Sequence, residues 1–270
     1  MSDLPLLTRE GWFPPWLRWG FTTRHGGVSA GPYASLNLGW DVGDDVARVR
    51  ENHARLGAAL GYDAERLGTV RQVHGKKVHL ARTHEQARAL RGRQGDGIVL
   101  APDPATPLDP TVGGLAALVR VADCCPVIVA ALERPVAAVL HCGWRSTVGG
   151  LLAEGLRRVA HEAATTPASL VAAIGPCIGP EAFEVGEEVV EKFLLRVGTE
   201  VVLRRPAWPK PHIDLQRAVE LLLVRHGVQA DRVLRFPRCT VSEPADLFSF
   251  RRDGHDGGRQ AGVVVLLRDP

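Results

Sequence analysis

Two histidines and a cysteine stand at the ends of apolar runs: His74 in RQVHGKKVH, Cys124 in RVADCCPVIVA and His141 in AAVLHCGWRS. Imidazole nitrogen and thiolate sulfur are donors that zinc prefers. Three protein ligands rather than four leave one coordination position open to water or substrate, as catalytic zinc sites do. If the three side chains meet in space, the chain is an enzyme with a polarised substrate or an activated water. Each residue alone has a plainer account. A buried free cysteine acts as a small apolar side chain, and a strand-end histidine is often satisfied by a backbone carbonyl. Cys125 is expected in the core if a strand starts there.

These residues need elements to hold them. Asp44 and Asp45 precede a stretch in which Val46, Val49, His53, Leu56 and Leu60 recur at helical spacing, and Gly61 stops it. Further helices are expected at about 150–164, 181–197 and 214–226, the last with Asp214 as N-cap and Gly227 just past its end. Short β-branched runs predict strands at Gly97–Leu100, Leu115–Val121, Val127–Ala131, Val136–Leu140, Leu170–Ile174, Val201–Leu203 and Gly262–Leu267. The two runs around Pro135 are close enough to form a hairpin. That argues against a purely parallel sheet and for an α+β class with mixed sheets. The proline-rich stretch 101–110 reads as a surface loop, with strand-like runs continuing on both sides, so a single domain over 1–270 is expected.

Composition narrows the function classes. Hydrophobic content of 45% in 270 residues is ample for a sizeable core, and the net charge of +3 comes from interspersed charges without long runs of one sign. A role on nucleic acid or at a membrane surface has no support in that pattern. No apolar stretch reaches the roughly eighteen residues of a spanning helix, and no secretory pattern opens the sequence. Five cysteines without framework spacing fit a reducing cytoplasm, where thiols stay available for metal or catalysis.

Two glycine-bearing segments could approach an anion. One, TTRHGGVSAGPYASLNLG, carries Arg24 and Asn37; the other, RRDGHDGGRQAG, carries Arg251, Arg252 and Arg259. Amides freed by glycine, together with arginine, suit phosphate. Neither segment is a P-loop or a dinucleotide fingerprint, and turn chemistry with solvated arginines is the plainer account. Arg145, beside Gly143, could also fork an anion.

Taken in order, TTRHGGVS, SLNLG, QVHG, GDG, ADCCPV, HCGWRS, IGPCIG, HIDL, FSFRRDG and GRQAG span nearly the whole chain. The set resembles the laccase-domain, YfiH-like family. That family was once named multicopper polyphenol oxidases and is described as zinc-dependent purine nucleoside phosphorylases with adenosine deaminase activity. The resemblance implies a four-layer α/β/β/α fold of mixed sheets, and His74, Cys124 and His141 as metal ligands. Cys142 and Ser146 depart from the family pattern, which has alanine and glycine there. Cys142 adjoins a ligand, so an effect on metal preference or oxidation is expected.

The oxidase name fails a test on the sequence: multicopper oxidases need His-X-His pairs, and this chain has none. Copper would enter the site only adventitiously, because it binds nitrogen and sulfur more tightly than zinc. The expected substrates are therefore purine nucleosides (adenosine, inosine, methylthioadenosine) and phosphate. Cys124, Asp123 and Arg145 are the expected catalytic residues, with Arg24, Asn37, Gln72 and Arg145 on substrate and phosphate. Asp123 is a candidate acid/base, or an orienting partner of a ligand histidine. Two rivals remain. In one, Cys124 as nucleophile and His141 as base, or a metal, hydrolyse an amide of a peptidoglycan precursor. In the other, a non-enzymatic metal-binding module senses redox state.

Overall fold

Runs of Val, Ile, Leu and Ala between glycine, proline and acidic turns build the strands of the computed structural model, in which residues 4–103 and 113–267 are described. In chain order these are β1 (Leu6–Leu7), β2 (Leu17–Thr22), β3 (Val78–Ala81), β4 (Gly97–Leu100), β5 (Leu115–Val121), β6 (Cys125–Ala131), β7 (Ala137–Cys142), β8 (Leu170–Ile174), β9 (Val202–Leu203), β10 (His212–Ile213), β11 (Val233–Arg235) and β12 (Gln260–Leu266). The helices are α1 (Val46–Leu60), α2 (His84–Arg88), α3 (Trp144–Val148), α4 (Leu151–Glu162), α5 (Glu187–Arg196), α6 (Leu215–Arg225) and α7 (Phe250–Asp253).

Two sheets stack. One is antiparallel with strand order β1-β2-β12-β5. The other is mixed, with order β11-β8-β6-β7-β4-β3 and parallel pairs only at its two edges. A third, minor ladder joins β9 to β10. Strand alternation divides the side chains into layers. Trp19, Phe21, Leu115, Val119 and Val264 meet Ile98, Ile128, Val139 and Val171 between the sheets. The opposite parity of the mixed sheet, including Val127, Val129 and Leu140, packs on α4, α5 and α6. The opposite parity of the antiparallel sheet, including Leu118 and Val263, packs against Leu56 and Leu60 of α1. The result is α/β/β/α, as expected, with one mixed sheet and one that is antiparallel throughout. Each fully buried Val, Leu, Ile or Phe in these layers contributes roughly 1.5–3 kcal/mol.

The capping signals act as their chemistry requires. Asp45 accepts from the Ala47 N–H at 2.8 Å, and α1 ends at Gly61 with φ +79°. Asp214 accepts from the Arg217 N–H at 2.8 Å, and Gly227 follows α6 with φ +101°. The β6–β7 hairpin around Pro135 is present.

Other expectations need correction. Val46 is exposed rather than part of the buried face of α1. The helix expected at 181–197 starts only at Glu187, because Gly186 caps it and the preceding residues form turns. The strand expected at Val201–Leu203 shrinks to two residues. The apolar run before His74 is not a strand, and His74 sits on a bend before β3. The strands β1, β2, β3, β10 and β11 and the short helices α2, α3 and α7 were not anticipated. Most of the expected loop 101–110 lies outside the described residues. No described helix is long and apolar enough to cross a membrane, and all five cysteines are free.

Candidate metal centre and its cavity

The centre is assembled at the open end of the β6–β7 hairpin. Cys124 is the residue before β6, and His141 lies one residue from the end of β7, opposite Pro126. By alternation His141 shares the inter-sheet face with Ala137 and Val139, while Cys125 and Cys142, themselves a cross-strand pair, point into the helix-facing core. His74 arrives on the bend before β3 with φ +58°, and Asp123, next to Cys124, has φ +84°. Non-glycine residues in that region carry strain of order 1–3 kcal/mol and persist where the surroundings over-determine them.

Asp96 does much of that determining. Fully buried just before β4, its carboxylate accepts the backbone N–H groups of His74 (2.8 Å), Gly75 (2.7 Å) and Val73 (3.3 Å). The same carboxylate lies 2.9 Å from His141 Nδ1. It thus fixes the His74 bend and holds the proton of His141 on Nδ1, leaving Nε2 for the centre. Burial pushes the Asp96 carboxyl up, but the His141 and Gly75 hydrogen bonds outweigh it and hold it below its ordinary value.

The donor atoms of His74, Cys124 and His141 all lie within 4.8 Å of one another. His74 Nε2 is 3.6 Å from Cys124 Sγ. Donors at about 2.0–2.1 Å and 2.3 Å from a tetrahedral zinc are about 3.6 Å apart, so this pair has the spacing of such an ion, and two imidazoles with a thiolate are the donor types it prefers. Gly143 closes the floor: a Cβ there would come within 2.7 Å of the His74 ring and 2.9 Å of Cys124 Sγ. Without a metal the pair polarises itself. Burial raises the Cys124 thiol, yet the charge and hydrogen bond of His141 prevail and hold it at about 6. Burial lowers His141, yet Cys124 and Asp96 prevail and raise it to about 9.

The group opens on a cavity of about 590 Å³. Trp40, Trp144 and Phe250 give it aromatic walls, and Arg71, Arg120, Arg145, Arg251 and Arg259 make it cationic. Apolar walls with few fixed polar groups are what small-molecule sites offer.

Sequence expectations separate here. His74, Cys124 and His141 converge, and Asp123, Gln72 and Arg145 line the same cavity. Arg145 is exposed on α3, with its guanidinium 4.4 Å from the Trp144 ring centroid. Gln72 grips the backbone of Arg120, donating to its carbonyl at 2.7 Å and accepting from its N–H at 2.8 Å. Asp123 is not the orienting partner of a ligand histidine: its oxygens accept from Thr240 Oγ1 (2.6 Å) and the Arg251 N–H (2.5 Å). Asp96 holds that position.

Arg24 does not face the cavity. It donates to the carbonyls of Ala34 (2.7 Å) and Pro244 (2.6 Å) and covers Phe248, which ties two loops together. Asn37 is buried and also outside the lining, and its Oδ1 accepts from the N–H groups of Gly39 and Arg259, both at 2.9 Å. Cys142 faces the opposite side of β7 from His141, with its thiol raised by burial, so it is a core residue. Sequence reasoning missed Asp96, Arg120 and Trp40, and it named Arg259 only as part of a segment that could approach an anion. For Asp96 a signal existed: an acid between two glycines at the start of a predicted strand.

The family model described as multi-copper polyphenol oxidoreductase laccase matches residues 18–267. A Deinococcus radiodurans protein named purine nucleoside phosphorylase is 39% identical over 98% of this chain and 94% of its own length. A protein from an unknown prokaryotic organism named adenosine deaminase RL5 is 35% identical over 88% of this chain and 90% of its own. The crystal structure of YlmD from Geobacillus stearothermophilus superposes with a TM-score of 0.84 at 28% identity, covering 100% of both chains.

Proposed function

The chain belongs to the multi-copper polyphenol oxidoreductase laccase family, and from that premise we propose that it is a metal-dependent enzyme acting on purine nucleosides. The observation that carries the reading is the three-donor group opening onto a cationic cavity with aromatic walls. The names of the relatives, purine nucleoside phosphorylase and adenosine deaminase, supply the chemistry such a site would perform.

His74, Cys124 and His141 would hold zinc, which supplies Lewis acidity toward a substrate or water oxygen. In phosphorolysis an oxygen of phosphate forms a bond to the anomeric carbon of the ribose. The bond to the purine nitrogen breaks, and the base leaves with a proton. Adenosine, inosine and methylthioadenosine fit this description, and the other product is a ribose 1-phosphate. In deamination water adds at C6 of adenosine and ammonia leaves, giving inosine. Trp40 and Phe250 provide flat apolar surface for a purine, and the arginines favour an anionic co-substrate.

One observation favours a second reading. The Cys124 thiol is held at about 6 by His141, which suits a nucleophile in an amidohydrolase. The deciding experiment incubates the protein with adenosine, with and without phosphate and with and without a chelator, and resolves the products. Adenine with ribose 1-phosphate only when phosphate is present, inosine without it, and loss of both under chelation are the expected result. Adenine formation that ignores phosphate would make the enzyme a hydrolase. Amide hydrolysis that survives chelation would favour the cysteine nucleophile.

A further inference from the structure

On the outer face of the antiparallel sheet, the apolar stripe stops where the cavity begins. Ala116 and Leu118 of β5, with Val265, Val263 and Ala261 of β12, are buried beneath α1. The same two-residue alternation puts Arg120 next on β5 and Arg259 just ahead of β12. The ladder pairs Arg120 with Ala261, so Arg259 stands diagonally across from Arg120, within reach of two long side chains. Both line the cavity that holds the metal donors.

Neither guanidinium has an ion-pair partner among the described residues. Arg120 Nη2 donates to the Val70 carbonyl at 3.4 Å, and Arg259 Nη1 donates to the carbonyls of Gly257 (2.6 Å) and Gly258 (2.9 Å). The remaining nitrogens of both forks make no hydrogen bond among the described residues. Asp41 is the carboxylate facing Arg120, and it is exposed and beyond ion-pair distance. Asp123 and Cys124 attract Arg259, but Asp123 stays beyond ion-pair distance and its oxygens accept from Thr240 and Arg251.

The two arginines are nevertheless held in place. Gln72 brackets the backbone of Arg120, and Asn37 fixes the N–H of Arg259. Gly39 clears room for its stem, since a Cβ there would come within 2.8 Å of Arg259 Cγ. Burial, and for Arg120 the charge of Arg259, disfavours the cationic forms of both. Partly desolvated, mutually repelling guanidiniums fixed with open forks are stabilised by an anion between them.

We propose that Arg120 and Arg259 form an oxyanion subsite that seats inorganic phosphate beside the metal donors. The proposal rests on the phosphorolytic reading above. It moves phosphate from the exposed Arg145 and the engaged Arg24 to the cavity wall formed by the α1-facing side of the antiparallel sheet.

The test uses inorganic phosphate and the metal-loaded protein. Phosphate binding is measured by calorimetry for the parent, Arg120→Gln, Arg259→Gln and Arg145→Ala, together with the phosphate KM of phosphorolysis and the rate of deamination. Arg120→Gln and Arg259→Gln are each expected to weaken phosphate about tenfold to a hundredfold, the loss of a charge-assisted hydrogen bond. The phosphate KM should rise by more than the deamination rate falls, and circular dichroism and thermal unfolding like the parent's certify that the variants are folded.

The parent protein gives a second readout independent of folding. Phosphate should shield Arg120 and Arg259 from phenylglyoxal, as mapped by mass spectrometry. Normal phosphate affinity in both glutamine variants, or shielding confined to other arginines, overturns the subsite. Loss of affinity only in Arg145→Ala moves phosphate to the rim and overturns it as well. Phosphate held by Arg120 and Arg259 in a protein that does not cleave adenosine would retain the subsite and remove the phosphorolytic reading instead.

Discussion

The β6–β7 hairpin is two regions under one rule. In its middle, Val127, Ile128, Val129 and Ala130 pair with Leu140, Val139, Ala138 and Ala137, and every one of these is fully buried. At its open end the next rungs are Pro126 with His141 and Cys125 with Cys142, and Cys124 lies just beyond. The pleat continues unchanged through both. What changes is the neighbour across the gap. Mid-hairpin inter-sheet residues meet Trp19, Phe21 and Val264, whereas His141 meets Asp96, Cys124 and the cavity. A position on the inter-sheet face is therefore core or ligand according to its distance from the strand end, and the helix-facing parity stays core throughout.

The largest effect should come from the open end. In Cys124→Ser a hydroxyl, a poor zinc ligand at neutral pH, replaces a thiolate. Metal affinity should fall by more than the 10–100-fold that losing a ligand's supporting partner typically costs, and turnover should fall to background. Metal content and nucleoside turnover measured on one preparation check this. Full metal with no turnover would mark Cys124 as a nucleophile instead.

Mid-hairpin, the same scale of change should fall on stability alone. Ile128→Ala removes a fully buried side chain between the sheets and should cost about 2–5 kcal/mol in denaturant unfolding. Metal affinity at a temperature where the protein remains folded should stay within about threefold. A comparable loss of metal would mean that the two halves of the hairpin are not separable.

The contrast also marks what the sequence made legible. The caps Asp45, Gly61, Asp214 and Gly227 act locally, so α1 and α6 could be placed within a residue or two. The runs of β4, β5 and β8 are bounded by their own turns, and the short spacing around Pro135 forces a hairpin. Of the three candidate ligands, Cys124 and His141 were legible as motifs at the ends of the hairpin's runs, and His74 by its own motif alone. Strand β2 was not, although Leu17, Trp19 and Phe21 alternate with Arg18, Gly20 and Thr22, because the run is short and carries a glycine in its middle, which weakens a strand reading. Arg120 and Arg259 become neighbours only through the register of β5 on β12, which no local pattern encodes. Asp96 and His141 are likewise joined by the β4–β7 ladder, so adjacency in sequence offered only Asp123, as an acid/base or as an orienting partner.

Asp96→Asn tests that reassignment. The amide cannot accept four hydrogen bonds as the carboxylate does, and its NH₂ group competes with the Nδ1 proton of His141. The expected outcome is about 10–100-fold weaker metal binding with little loss of secondary structure. Competition with a metal-sensitive dye measures it. Asp123→Asn run alongside should leave metal affinity nearer the parent, because its oxygens serve Thr240 and Arg251. The reverse order of effects would restore Asp123 as the orienting group.

Cys142→Ala carries the smallest effect and draws the boundary between the two regions most finely. Cys142 is one residue from a ligand, and on adjacency alone it should tune the metal. Its side chain faces the helix layer, opposite Cys125 and fully buried, and its thiol is pushed well above its ordinary value. A neutral buried thiol on the far side of the strand is a packing atom. Its removal should cost about 0.5–1.5 kcal/mol, the range for deleting one methylene-sized group from a core. Metal affinity and the phosphate KM should both stay within about twofold of the parent. A shift in metal preference between zinc and copper, measured by competition, would show that the strand face does not insulate the ligand. In that case the division between core parity and ligand parity would have to be drawn one rung further from the hairpin's open end.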